Sequence, residues 1–195
     1  MRLVSIQRLL RRGAITNLAK MLARMHPADI ANVIDHLSSL KEKREIFELV
    51  RGDVKRGQVL SELDGESITL VLSDLLPSDA AWLLKDLGSD DIAYILSVIP
   101  NDRAKEILAL MRTEDSTEIA DLLKYPKGTA GGIMTTEFFA LFEDATAQEA
   151  IRRLQQATDA EMVFYIYVTD KEDRLVGVLS LRQLLTVPPA TPLKN

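Results

Sequence analysis

The sequence predicts a mainly α protein, a right-handed-type superhelix of short helices followed by a small α+β module. Three observations carry this expectation. One helical pattern, an acid followed by apolar or Ala residues at +1, +4 and +5, recurs four times before residue 125. A stretch holding three of the nine glycines, "YPKGTAGGIMTTE", then interrupts the chain from Tyr125 to Glu137. Beyond it the apolar period changes from helical to strand-like.

The elements follow in order. "MRLVSIQRLLRRG" places Arg8, Arg11 and Arg12 where a signal peptide would be apolar, so it reads as a first amphipathic helix. Helices are expected at about 3–12, 14–25, 42–51, 65–75 and 101–112, punctuated by Gly13, Gly52, Gly88 and Pro100. Between them lie the repeated stretches "ADIANVIDHL", "SDAAWLLKDL", "DDIAYILSVI" and "TEIADLLKY", with acids at Asp29, Asp79, Asp91 and Glu118. Pro27 and Pro77 fit the first helical position, which puts Asp29 and Asp79 among exposed amides at the positive end of the helix dipole. Asp115 reads as an N-cap three residues before Glu118, in capping-box fashion. Capping is the plain role for these acids. His26 reads as a cap and His36 as a helix-end residue. Amphipathic helices this short cannot bury their stripes alone and should stack. Their period reads as irregular. Trp82 and the Met residues sit on or near apolar faces and are expected in the core.

After Thr135 come a strand in "FFALF" (138–142), a helix opened by Thr146 and Glu149 with a face of Ala150, Ile151, Leu154 and Ala157, and a strand in "VFYIYVT" (163–169). "DKEDR" is a turn, "LVGVLS" closes a hairpin, and "LRQLL" starts a helix that stops at Val187-Pro188-Pro189. The expected division is 1–127 superhelix, 128–137 joint, 138–195 α+β module.

Composition narrows the function. No Cys is present, which excludes disulfides and thiolate chemistry and fits a reducing compartment. No apolar run reaches the roughly 18 residues that span a bilayer, so this polypeptide is expected to be soluble and to form no pore by itself. The net charge of −5 hides a gradient: residues 1–57 hold 12 Lys+Arg and 6 Asp+Glu, whereas residues 58–127 hold 6 and 14. The basic start lacks interleaved aromatics and any nucleic-acid motif, so nucleic acid is not the expected partner. With no nucleophile–base pair, no phosphate-cradling Gly loop and only two His, an enzyme is not expected either. The acidic middle points to cations or basic partners.

"RMHPADIANVIDHL", "LPSDAAWLLKDL", "KYPKGTAGGIMTTE" and "VFYIYVTDKEDRLVGVLSLRQLL" resemble the cytosolic part of MgtE-type magnesium transporters, and the last 60 or so residues resemble one CBS motif. The resemblance covers nearly the whole chain and is most specific at "YP…TAGGIMT". It implies a homodimer on the cytoplasmic face of the inner or plasma membrane. In such proteins Mg²⁺ bridges acids of the helical domain, the CBS domain and a connecting helix to close the pore. It also implies a second CBS motif, the connecting helix and a transmembrane pore, none of which these 195 residues contain. The alternative reading is a helical-repeat interaction scaffold, like related repeats in flagellar switch proteins.

The resemblance implies the candidate sites. Asp90, with Asp91 as the weaker candidate, falls where family members place an ion-bridging acid, while Tyr94 stands where another acid can follow one turn later. Mg²⁺ binding by this chain alone is therefore expected to be weak or absent. Gly131 and Gly132 are the candidate hinge. The nucleotide pattern of CBS pairs aligns with "GVLSLRQ" (Gly177–Gln183), which offers Tyr165 and Arg182 as candidate ATP contacts. Gln183 replaces the Asp that would hold the ribose, so no ATP binding is expected, and Tyr165 reads as a core strand residue.

Overall fold

The computed structural model describes residues 2–136, 138–156 and 164–194. The chain divides into two compact units, Met1–Met134 and Thr135–Asn195.

The first unit is ten short helices: α1 Arg2–Arg11, α2 Ile15–Ala23, α3 Pro27–Asp35, α4 Leu40–Leu49, α5 Asp53–Ser61, α6 Gly65–Asp74, α7 Pro77–Leu84, α8 Ser89–Val98, α9 Asn101–Leu108 and α10 Thr113–Leu122. Helices pack on their second neighbours. α3, α5, α7 and α9 form one row; α2, α4, α6, α8 and α10 form the other. The repeat is regular, contrary to expectation: helices of the even row start at 15, 40, 65, 89 and 113, and those of the odd row at 27, 53, 77 and 101. The four sequence stretches hid this period because two of them belong to each row.

One continuous core runs through the stack, from Ile6 through Ile34, Leu60 and Ile95 to Leu122. Caps set the helix starts: His26, Ser39 and Asp64 accept from the amides of Ala28, Glu42 and Ser67. His36 caps the end of α3. α10 differs from the expectation: it begins at Thr113, so Asp115 lies in its first turn and Glu118 in mid-helix. α5 has no counterpart among the expected helices. Its charged first turn and interior Gly57 break the apolar stripe, and Gly57 is there for packing: a Cβ would lie 2.5 Å from the carbonyl oxygen of Leu83 in α7.

Orphan carbonyls at the ends of even-row helices are met by cations from the first turn of a helix in the other row, α5 or α9. The Lys55 ammonium donates to the carbonyls of Leu22, Ala23 and Met25 at 3.0, 3.1 and 2.7 Å. Arg103 donates to Leu72 and Leu75 at the end of α6. Buried Lys43 donates to Ser67 Oγ at 2.9 Å. Trp82 is on the surface, 57% exposed, with its indole N–H on Asp53 and the Lys85 ammonium over its ring. Its apolar neighbours in sequence pointed to the core, but a polar handle and a cation hold it outside. Met25 is buried and Met21 and Met111 pack on the core, whereas Met134, in the loop after α10 and not on a helix stripe, is exposed; Met1 and Met162 lie outside the described residues.

The second unit is β1 Ala140–Phe142, α11 Ala147–Gln156, β2 Tyr165–Thr169, β3 Leu175–Ser180 and α12 Leu181–Thr186. The sheet order is β1-β2-β3, with β1 parallel to β2 and β2 antiparallel to β3. This is the expected strand, helix, strand, strand, helix. Val163 and Ala157, which were assigned to the strand and the helix face, lie outside the described residues. Residues after α12 complete the unit. The carbonyls of Pro189 and Thr191 accept from the first amides of α11, and Leu193 enters the core.

Candidate functional site: a cleft beside α8

α8 starts at an N-cap glycine, Gly88, and carries Asp90 and Asp91 in its first turn, where the dipole favours carboxylates. Tyr94 follows one turn on and is exposed; Ser97 lies near the end. The chain leaving α10 folds back over this helix. Lys127 donates from its ammonium to the Ser97 carbonyl at 2.7 Å, repeating the helix-end device seen at Lys55 and Arg103. Thr129 then builds a local turn: its hydroxyl donates to Pro126 O at 2.7 Å, and the Gly132 amide donates to it at 3.2 Å. A single 3-10 turn, Gly131–Ile133, follows.

These pieces enclose a cleft of about 370 Å³ within the helical unit, with Asp90, Tyr94, Ser97, Tyr125, Lys127 and Ile133 on its walls. Asp90 and the glycine pair, distant in sequence, line the same cleft, whereas Asp91 is not among its walls. Both glycines are needed for contact. A Cβ at Gly131 would collide with the Tyr125 ring, and one at Gly132 would lie 2.5 Å from Pro126 O. In this stretch only Gly128, at φ +76°, uses the left-handed backbone.

Lys127 is the wall residue that sequence reasoning missed. The spacing of about 30 residues shared with Lys55 and Arg103 was the available signal. Among the described residues no three His, Asp or Glu side chains come together as a metal site. A metal ion at Asp90 would need oxygen ligands from a further surface.

The nucleotide candidates lie in the other unit. Tyr165 is in β2 as expected but faces outward, 59% exposed, because alternation along β2 sends Ile166 and Val168 to the core instead. Arg182 is exposed on α12. The Gln183 side-chain oxygen accepts from the Ser180 amide at 2.9 Å and from its hydroxyl at 2.7 Å, closing a capping box.

Stacked helix pairs followed by a βαββα unit define a helical-repeat domain joined to a CBS-type module. Family models agree: residues 25–128 match the MgtE intracellular N domain and residues 130–193 the CBS domain. The chain belongs to the MgtE family. It is 48% identical over 71 residues to the magnesium transporter MgtE of Thermus thermophilus, covering 36% of this chain and 16% of that protein. It is 28% identical over 182 residues to the Bacillus subtilis magnesium transporter MgtE, covering 93% and 40%. The chain thus spans well under half of either relative. Among solved structures it resembles the cytosolic domain of the Mg²⁺ channel MgtE in complex with ATP, with a TM-score of 0.83 and 33% identity over 98% of this chain and 78% of that one. It also resembles the soluble part of a magnesium transporter, with a TM-score of 0.75 and 26% identity over 98% and 75%. Among the described residues no helix is long and apolar enough to cross a membrane.

Proposed function

We propose that the chain is the Mg²⁺-sensing regulatory segment of a magnesium transporter, on the cytoplasmic side of the membrane, acting by ion-bridged closure between the helical unit and the CBS module. The observation that carries this reading is the shared cleft. Asp90, on α8, lines the same cleft as the stretch through which the chain passes towards the CBS module.

Mg²⁺ is a hard cation that keeps several waters and takes one or two carboxylates. One ion between Asp90 and acids of a facing surface offsets their repulsion. Without it, like charges push the surfaces apart. The cation in this role is also the transported species, so its concentration reports directly on supply.

The pivot is proposed within Thr129–Thr135, the stretch that holds Gly131 and Gly132 and meets the boundary between the compact units at Met134 and Thr135. The outward sheet face bearing Tyr165, Tyr167 and Val178 is proposed to be covered by a second CBS motif or a second copy, giving a homodimer.

The test is limited proteolysis of the full-length protein across a Mg²⁺ titration. Asp90→Asn should move the protection midpoint to higher Mg²⁺ by roughly tenfold or more, the weight of one charged contact. An unchanged midpoint leaves Asp90 a capping residue. Gly132→Val should undock the loop and change small-angle scattering in both Mg²⁺ states. Scattering identical to wild type removes the pivot.

A further inference from the structure

The first 28 residues hold six Lys and Arg and no acid; the first acid is Asp29. In α1 the apolar side goes to the core through Ile6 and Leu10, with Leu3 and Leu9 packed beside them. In α2 Leu18 and Leu22 do the same. The cations therefore stand outside: Arg8, Arg11, Arg12, Lys20 and Arg24 are all exposed. Val4, at 58% exposed, and Ile15, at 37%, are exposed with them.

Two features separate this surface from an ordinary solvated cap. A solvated helix face is served by interspersed charges of both signs. Here one sign is present alone. Arg8 and Arg12, and Lys20 and Arg24, are also four residues apart on their helices or helix ends, where like charges repel. An anionic partner would remove that cost.

We propose that this helix pair is a docking surface for an anionic phospholipid bilayer. The proposal uses only the family's membership among transporters and goes beyond the Mg²⁺ reading. Cations clustered near an anionic leaflet each add about a fivefold gain in partition, and Val4 and Ile15 supply aliphatic groups for the headgroup boundary. A nucleic acid fits less well, because single strands are held by stacking on aromatics and the first aromatic residue of the chain is Phe47. The acidic stretch of a second copy fits less well too, because several of its acids are already engaged: Asp64 caps α6, and Asp74, Glu106 and Asp121 pair with Arg44, Arg103 and Lys124.

The experiment is vesicle co-sedimentation of the 195-residue chain without Mg²⁺, which keeps it independent of the proposed ion bridge. Vesicles of phosphatidylcholine alone are compared with vesicles containing about 30% phosphatidylglycerol. Binding is expected only to the latter, falling steeply between about 0.1 and 0.5 M salt as screening shortens. Reversing three cations, Arg11→Glu, Arg12→Glu and Lys20→Glu, should lower the partition by more than about 100-fold, the loss expected from their neutralisation alone, with an unchanged melting temperature. The Gln triple variant should give a smaller loss in the same direction if the triple Glu variant does not fold. Equal binding to both vesicle types, no binding, or an unaltered partition in the variants overturns the proposal. So does tighter binding to single-stranded RNA than to the anionic vesicles. Salt-sensitive self-association that the substitutions abolish, without vesicle binding, assigns the surface to a second copy instead.

Discussion

The two units bury apolar surface in different ways. The helical unit threads one continuous cluster of 32 buried residues through its helices. Among its described residues the CBS module gathers seven, and Tyr165, Tyr167 and Val178 on one face of its three-stranded sheet are exposed. Inner helices of the stack find a row neighbour on each side, so its core grows with length. The module has about 60 residues, near the lower limit for an independent core, and it recruits Leu193 from the segment after α12 to close what it has. The stack is therefore expected to be the stable body, and the module the part whose order depends on cover.

The sharpest way to break this contrast is to remove the same kind of group from each core. Leu84 and Ile166 are both fully buried. Each change to Ala should cost about 2–5 kcal/mol from lost transfer and cavity. In the stack, Leu84→Ala lowers the urea midpoint and leaves a folded chain. In the module the same loss exceeds what a small core can hold, so Ile166→Ala should abolish amide-exchange protection across β2 and β3 while α2–α10 keep theirs. Protection retained in both variants would put the two cores on an equal footing. A smaller change sharpens the account of the stack. Gly57→Ala presses a methyl on the Leu83 carbonyl and should cost about 1–3 kcal/mol, and an unshifted urea midpoint would mean that α5 and α7 can part at no cost.

What was legible in the sequence follows the same division. Helices with a clean stripe, such as α3, α7 and α8, show themselves, because four buried positions recur at helical spacing. α5 does not, because Gly57 and a charged first turn carry a packing role that local pattern cannot express. The strands of the module were legible from their β-branched and aromatic residues. Their facing was not: Tyr165 alternates with Ile166, and only the fold decides which of the two goes inward. The same holds at the cleft. Asp90 is marked by the family resemblance, but Lys127 acts through the carbonyl of Ser97, and a backbone acceptor leaves no residue signature.

The nucleotide question compares this module with its relatives. The solved MgtE cytosolic domain with a TM-score of 0.83 was crystallised with ATP. The CBS resemblance aligns Gln183 with a ribose-binding carboxylate, and the Gln183 side-chain oxygen is engaged by Ser180. A carboxylate accepts charge-assisted bonds about twice as strong as neutral ones, so its loss costs roughly 1.5–3 kcal/mol, or about 10- to 100-fold in affinity. Calorimetry on this chain should show no ATP binding at millimolar nucleotide, and Gln183→Asp in the full-length protein should raise affinity. A dissociation constant below roughly 100 μM for the chain as it stands would show that Gln183 is no obstacle.

The smallest expected effect tests whether local polar contacts, rather than core, order the module's hairpin. The turn between β2 and β3 is organised by Asp170. Its carboxylate accepts from the Arg174 guanidinium at 2.8 Å and from the amides of Arg174 and Glu172, both at 3.0 Å. Asp173 in the same turn takes φ +57°, a conformation that Asp tolerates better than most residues. The Arg174 side-chain bond, followed by its amide, holds the Asp170 carboxyl below its ordinary 3.8. A carboxyl with a depressed folded value favours the fold above its unfolded value, and the contribution disappears as pH falls through the folded one. The turn should therefore be insensitive between pH 5 and 8 and loosen only below about pH 4. Arg174→Ala should move the Asp170 carboxyl titration, followed by carbon NMR, back towards its ordinary value and bring the loosening to higher pH. An Asp170 midpoint that stays put in Arg174→Ala would assign the depression to the amides of Glu172 and Arg174, and the turn would then owe its order to those bonds and not to the Arg174 side chain.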